Sequence, residues 1–239
     1  MSIYKKIRKK LKKNPFIYSI YKMLRKKQEK KDLKNRIECI HKYGYSLLNE
    51  VTETLVDAGI RSFCCCGTLL GLIRDGKFIS WDDDIDMSII DDPMFSWEIL
   101  EEKLNGIGMK KFREFAFDEH VTIQSYVKNN VMIDFGLQTI EGNRVIMKEP
   151  WQIDGVEYLD GFYRDHRVLF HEYPIVSEIE MKKINGTKVM IPVNYEEYLE
   201  SKYTKNWKIP DPDWITKAPT EAVLPVKSTY YFRRKRFRG

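Results

Sequence analysis

The residues best suited to chemistry lie in one short run, Trp81-Asp82-Asp83-Asp84-Ile85-Asp86-Met87. Side chains alternate along an extended strand, so Asp82, Asp84 and Asp86 are expected on one face and Asp83, Ile85 and Met87 on the other. Three carboxylates held so close repel one another at neutral pH unless cations neutralise them or they keep their protons. Hard oxygen donors suit Mg²⁺, which commonly takes one or two carboxylates and leaves positions for water and substrate phosphates. An acidic run is about as often a solvated loop, but Trp81, Ile85, Met87, Ile89 and Ile90 point to a buried strand, where idle charge is costly. Asp134, between apolar neighbours in Val131-Met132-Ile133-Asp134-Phe135, could cap a turn. With Asp84 and Asp86 it would instead complete the carboxylates of a two-metal phosphoryl-transfer site.

A second candidate element precedes the acids. Cys66-Gly67-Thr68-Leu69-Leu70-Gly71 joins the end of an expected strand to the start of a helix. Gly67 would let the backbone approach a phosphate, and Thr68 would offer its amide and hydroxyl at a positive helix N-terminus. Arg74 and Lys77 could neutralise a pyrophosphate, although both are also ordinary surface residue types. The consecutive Cys64, Cys65 and Cys66 read as strand packing rather than as a nucleophile or a disulfide framework. His41, His120, His166 and His171 lack zinc-site spacing. Around Glu149 and residues 158–167 an acceptor-specific insertion is expected, with Arg164 or Arg167 as candidate phosphate contacts.

Periodicity supplies the elements that must hold these residues. Apolar positions every three or four residues predict an amphipathic helix over 34–58, closed by Gly59. Strands are expected over 60–66, 84–90, 112–117, 121–127 and 131–137, with Asn129-Asn130 turning the last two into a hairpin and Gly142-Asn143 marking another turn. Asp92 and Pro93 predict a helix start running to 104, Asn185-Gly186 a hairpin, and residues 195–203 a helix. Helices and strands in this order predict a mixed α/β (α+β) domain rather than a regular βαβ repeat.

Composition bounds the rest. With 43% hydrophobic and 13% aromatic residues, the chain can bury a core and is not a disordered polypeptide. The net charge of +6 is a sum of opposites: residues 1–31 carry +12 and residues 227–239 carry +6, leaving −12 on the 195 residues between. Ile3, Ile7, Leu11, Ile17, Ile20 and Leu24 recur among the N-terminal Lys and Arg residues, which predicts two short basic amphipathic helices separated at Asn14-Pro15. The C-terminal Tyr230-Tyr231-Phe232 and its following arginines add interfacial aromatics. Both ends are expected to meet an anionic membrane surface, with nucleic acid as the rival partner and plain solvation as the simplest reading. There is no transmembrane stretch, and the opening residues are too basic and interrupted for a secretory leader, so a cytoplasmic, peripheral location is expected.

The motifs taken together resemble the LicD family, which includes fukutin and fukutin-related protein. The resemblance rests on Gly67-Thr68-Leu69-Leu70-Gly71-Leu72-Ile73-Arg74, on Phe78-Ile79-Ser80-Trp81-Asp82-Asp83-Asp84-Ile85-Asp86, and on a closing segment with Asn185-Gly186, Val189-Met190-Ile191-Pro192, Tyr195-Glu196, Tyr198-Leu199 and Tyr203. It covers about residues 40–210. Tyr203-Thr204-Lys205-Asn206-Trp207 departs from the family's usual Tyr-Gly-Asp-Trp.

The resemblance implies a nucleotidyltransferase-like mixed sheet flanked by helices in a catalytic domain over 32–226, between a basic extension (1–31) and a basic aromatic tail (227–239). It implies transfer of phosphocholine, ribitol phosphate or glycerol phosphate from a CDP-linked donor to a sugar hydroxyl of a cell-surface polysaccharide precursor, releasing CMP. The acceptor would be lipid-linked, at the inner face of the plasma membrane, and no nucleic acid would be involved. Asp84, Asp86 and Asp134 would be catalytic and, with Asp82 as an outer ligand, would hold two Mg²⁺ or Mn²⁺ ions. Gly67, Thr68, Arg74 and Lys77 would bind substrate, and Asp134 would also accept the acceptor proton. The alternatives are a GT-A-type glycosyltransferase using a nucleotide-sugar, and a noncatalytic membrane- or nucleic-acid-binding module.

Overall fold

In the computed structural model of the chain, the described residues are 14–117, 120–142, 144–151, 164–165, 167–211, 223–224 and 229–230. The first basic helix expected before Asn14, most of the C-terminal tail, and the side chains of Arg164 and Arg167 lie outside them.

Helix α1 spans Pro15–Cys39. The Asn14 side chain accepts the Phe16 and Ile17 amides at 3.1 and 3.3 Å, and Pro15 takes the first helical position, where its missing amide costs nothing. Asn14-Pro15 therefore starts a helix. α1 runs unbroken through residues 31 and 32 into a π-helical turn, Ile40–Gly44, and then α2, Tyr45–Asp57. Helix formation thus begins about twenty residues before the periodicity expected from residue 34. α2 buries Leu47, Leu48, Val51 and Leu55, whereas α1 buries none of its residues.

The π-turn seats the helix against the loop that precedes the acids. A Cβ on Gly44 would lie 3.0 Å from the Phe78 ring, so only glycine allows this approach without a shift. Next to it, Tyr45 stacks on Phe78 with centroids 4.4 Å apart and accepts the Phe78 amide through its hydroxyl at 3.1 Å.

Eight strands form a mixed sheet: β1 (Ser62–Cys64), β2 (Ile85–Ile90), β3 (Lys110–Phe117), β4 (His120–Lys128), β5 (Val131–Glu141), β6 (Arg144–Trp151), β8 (Arg167–Tyr173) and β11 (Val223–Leu224). β7 (Arg164–Asp165) pairs with β12 (Thr229–Tyr230), and β9 (Ile179–Ile184) with β10 (Thr187–Pro192). The sheet runs β1-β2-β5-β6-β8-β11, with β4 pairing the first half of β5 and β3 outside it. Only β2 and β5 are parallel among the described pairs; the others are antiparallel. Asn129 and Asn130 turn β4 into β5 with φ of +53° and +60°, the backbone of a tight hairpin turn.

Helix α3 (Cys66–Asp75) follows β1, α4 (Trp97–Gly106) follows β2, and α5 (Tyr195–Tyr203) follows β10. α4 starts later than Asp92 and Pro93 suggest. Asp92 instead accepts the Met94 amide in a local turn, and the Ser96 hydroxyl caps the Glu98 and Ile99 amides. β1 ends at Cys64, so Cys66 is not a strand residue; it opens α3 with φ +48°. The core gathers Leu48, Val51, Leu55, Phe63, Ile85, Met87, Ile133 and Phe135, each fully enclosed. Burial of such side chains contributes ~1.5–3 kcal/mol apiece and fixes the register of β2 and β5.

Candidate functional site

Because β2 and β5 are parallel and in register, Asp86 pairs directly with Asp134. Across the next strands Asp134 faces Ser125, and Ser125 faces Arg113. Directly opposed residues share a face, so Arg113, Ser125, Asp134 and Asp86 form one row across four strands. Arg113 donates to Ser125 Oγ at 2.8 Å and to Asp134 Oδ2 at 2.7 Å.

The strand does not carry all three acids of the Asp82-Asp84-Asp86 set, as simple alternation would have it. β2 begins at Ile85, and Asp82 belongs to a turn in which its amide donates to the Ile79 carbonyl at 3.2 Å. The turn nonetheless delivers Asp84 beside Asp86: carboxylate oxygens of Asp84, Asp86 and Asp134 all lie within 4.8 Å of one another. Asp82 groups with Asp83 and Asp84 instead, and Asp83 is held by Arg36 of α1 through Nη2 at 2.5 Å. That bond ties the long helix to the acidic turn.

The cluster is electrostatically uncomfortable on its own. Two like charges no more than 4.8 Å apart repel by about 3 kcal/mol or more at an effective dielectric of about 20. Burial, then the Asp134 and Asp82 charges, push Asp84 well above the usual carboxylate range; burial and Cys66, then Asp84, do the same to Asp86. Asp82 is pushed up to about 6, mainly by burial and then by Asp83. Arg113 offsets one of the three charges. Asp134 Oδ1 is buried without a hydrogen-bond partner among the described residues, a costly state for a carboxylate oxygen. An all-carboxylate donor set with an orphaned oxygen and uncompensated negative charge fits hard divalent cations.

A cavity of about 840 Å³ opens over this row, within the roughly 300–1,000 Å³ usual for small-molecule sites. Its wall includes Asp82, Asp86, Arg113 and Asp134 together with Glu149, Lys202 and Tyr203. Gly67 and Arg74 line it; Thr68 and Lys77 do not. Thr68 is buried, and its hydroxyl accepts the Asp86 amide at 2.9 Å, locking the start of α3 to β2. Arg74 is paired bidentately with Asp75 at 2.9 and 2.7 Å. Lys77 is exposed, and its amide donates to the Gly71 carbonyl at 3.3 Å. Gly67 has a use other than phosphate approach: a Cβ there would lie 2.4 Å from Asp82 Oδ2, so its hydrogen makes room for that carboxylate.

Periodicity did not reveal Arg113, Lys202 or Cys66 as site residues. Arg113 escapes it because the β3–β4 register shifts between Lys111 and Arg113, turning Arg113 to the face opposite Lys111, which pairs with Glu101. Lys202 is brought in by long-range packing of α5. Its ammonium donates to Glu149 Oε1 and Tyr173 Oη, both at 3.1 Å. Cys66, at the cavity wall, is drawn down to about 7 by a hydrogen bond from Cys65 and, against burial, by the Lys202 charge.

This geometry joins a match to a known family. A family described as LicD/FKTN/FKRP, nucleotidyltransferase domain, matches residues 59–194, which include β1, α3, the acidic turn and β5. The chain belongs to this family. Its curated relatives include the ribitol-5-phosphate transferase FKTN of Mus musculus, 26% identical over 185 residues, which cover 77% of this chain and 37% of that protein. The human FKTN is 26% identical over 194 residues, covering 80% and 39% respectively. The chain thus spans less than two fifths of the length of these relatives. Among solved structures, ANT(2″)-Ia in complex with adenylyl-2″-tobramycin is 14% identical with a TM-score of 0.42, covering 72% of this chain and 82% of that one. A solution structure of the same factor gives 15% and 0.41. The mixed α/β fold and the LicD membership expected from the motifs both stand. β1 is the only described strand before Asp84.

Proposed function

We propose that this LicD-family chain is a phosphotransferase that moves a phosphorylated alcohol (phosphocholine, ribitol phosphate or glycerol phosphate) from a CDP-linked donor to a sugar hydroxyl, releasing CMP. The observation that carries the reading is the convergence of Asp84, from the acidic turn, with Asp86 and Asp134 of two parallel strands, the last two on the wall of one cavity. Family membership and the similarity to a ribitol-5-phosphate transferase support the transferase class.

Asp84, Asp86 and Asp134 would hold two divalent ions, Mg²⁺ or Mn²⁺, with Asp82 as an outer ligand. When bound, such ions neutralise charge on the donor diphosphate and on the attacking and leaving oxygens. The chain's own residues set the geometry: Thr68 fixes Asp86 through its amide, Arg113 fixes Asp134 through Oδ2, and Arg36 fixes the acidic turn through Asp83. The acceptor oxygen forms a bond to the transferred phosphorus, the bond from that phosphorus to the CMP oxygen breaks, and the acceptor proton passes to Asp134. CMP leaves with the electron pair. Gly67 and Arg74, at the cavity wall, are the candidate donor contacts from α3.

The acceptor in this proposal is a lipid-linked precursor of a cell-surface polysaccharide, met at the inner face of the membrane. α1 supports it: the helix exposes Phe16 (73%), Met23 (64%) and Leu24 (57%) on a segment dense in Lys and Arg. No helix of the described residues is long and apolar enough to cross a membrane.

The test is incubation with Mg²⁺ and CDP-choline, CDP-ribitol or CDP-glycerol plus candidate glycans, following CMP release. Glycan-dependent CMP release from one donor is expected. Release from none, with sugar-nucleotides turned over instead, would overturn the reading.

A further inference from the structure

The cavity has a second charged pole that the metal chemistry does not use. Lys202, in the last turn of α5, has a side chain only 7% exposed yet lines the cavity. Its Nζ lies 5.8 Å from the ring centroid of Tyr173, which is itself clamped between Tyr198 and His171 with ring centroids 4.5 Å away on each side. Glu149 and the Tyr173 hydroxyl take two of the three ammonium N–H bonds. Cys66 also lies against the ammonium, as do Tyr198 and Tyr203 at longer range, and the Cys66 sulfur is a weak acceptor. Burial alone works to strip the proton from this lysine, but Cys66 and Glu149 outweigh it, so the group stays cationic.

A Lys–Glu pair with its lysine buried and its glutamate partly so is a poor device for stability, since an apolar pair of similar volume serves as well or better. It is a good device for holding a charge in a fixed place at a cavity wall. The other basic residues around the cavity are less suited. Arg74 is bound through two N–H groups to Asp75, Arg113 is bound to Asp134 and Ser125, and Lys77 lies outside. A diphosphate gripped at one side by the carboxylate pole still carries anionic oxygens on the other.

We propose that Lys202 is a substrate-binding residue for the phosphate oxygens that the carboxylate pole leaves uncovered, with Glu149 and Tyr173 as the residues that position it. The inference rests on the functional reading above for the identity of the anion as a nucleoside-diphosphate donor, but not for the existence of an anion site. A phosphate oxygen would displace Cys66 as the third acceptor, gaining a charge-assisted hydrogen bond.

The test is calorimetric titration of the full chain with pyrophosphate in the presence of Mg²⁺. Lys202→Met alone would leave the partly buried Glu149 unpaired and could destabilise the wall, so it is combined with Glu149→Gln. The double variant should keep its melting temperature and its Mg²⁺-induced stabilisation while its pyrophosphate Kd rises about tenfold or more. In turnover with the active CDP-alcohol, KM should rise by more than kcat falls. Tyr173→Phe should raise KM by a smaller factor. An unchanged pyrophosphate Kd in the folded double variant, or no pyrophosphate binding by the wild type, would overturn the inference. Lys202-dependent pyrophosphate binding without CMP release from any CDP-alcohol would uphold the anion site and overturn the functional reading instead.

Discussion

Asp86 and Asp134 stand opposite each other across the parallel β2–β5 ladder, 48 positions apart in a sequence that includes α4 and the β3–β4 hairpin between them. Two acids in register on adjacent parallel strands share a face of the sheet, and the ladder keeps their Cβ atoms close whatever rotamers they adopt. Their repulsion is therefore built into the fold, and the proposed metal site follows from it.

Removing one charge from the cluster should separate folding from function. Asp84→Asn is expected to lower CMP release by about 10³-fold or more, since several kcal/mol of charge stabilisation would go with the ligand. The metal-free variant should melt slightly above wild type, because one buried repulsion is gone. The rise in melting temperature on adding Mg²⁺ should largely vanish. Retained turnover would end the two-metal reading.

Arg113 is expected to behave in the opposite way. It neutralises Asp134 from a partly buried position, so Arg113→Met should cost on the order of 3 kcal/mol of metal-free stability. Mg²⁺ would then take over part of its role, and the Mg²⁺-induced rise in melting temperature should exceed that of wild type. Differential scanning fluorimetry with and without Mg²⁺ measures both.

Two glycines of α3 should respond differently to alanine. At Gly71 a Cβ would meet the Lys77 carbonyl at 2.6 Å and the Ile79 amide nitrogen at 3.0 Å, both backbone, so Gly71→Ala should unfold the protein at a visibly lower temperature. At Gly67 the clash is with a side-chain oxygen of Asp82, which can swing aside. Gly67→Ala should melt near wild type and lose activity through the displaced carboxylate. Equal melting temperatures for the two variants would contradict this contrast.

Cys66 gives a pH-dependent signature. Its acidity is raised by the Cys65 hydrogen bond and, against burial, by Lys202, which places the thiol near 7 rather than its usual 9. In a Cys39→Ser background, iodoacetamide labelling should therefore climb between about pH 6 and 8, with Cys64, pushed up to about 12 by burial, inert. A labelling midpoint near 9 would contradict the placement of Cys66 beside Lys202.

The exposed apolar residues of α1 contribute nothing to the core, so replacing Phe16, Met23 and Leu24 by Ser should leave the melting temperature unchanged while reducing flotation with anionic vesicles. Flotation equal to wild type would remove α1 from the membrane proposal.

Much of this architecture was legible in the sequence where a local rule decides the outcome. The Asn129-Asn130 and Asn185-Gly186 turns, the helix over Tyr195–Tyr203 and the β2–β5 placement of Asp86 and Asp134 each follow from turn chemistry or apolar patterning over a few residues. What could not be read there depends on contacts distant in sequence. The β3 bulge that turns Arg113 inward, the Arg36–Asp83 tie across 47 residues and the Lys202–Glu149 pair across 53 leave no periodic trace. The start of α4 shows a local rule misapplied: Asp92 and Pro93 form their own turn, and Ser96 is the better-placed cap. Asp84 is a mixed case, since strand alternation put it beside Asp86 whereas a turn does so in the structure.

The most direct measurement is a titration of the chain with CDP, by calorimetry, with and without Mg²⁺, for wild type and for Asp134→Asn. The account predicts tight binding for wild type with Mg²⁺ and weak or no binding both without the metal and in the variant. Equal CDP affinity in all of these conditions would show that the carboxylates on β2 and β5 do not hold a metal over the nucleotide.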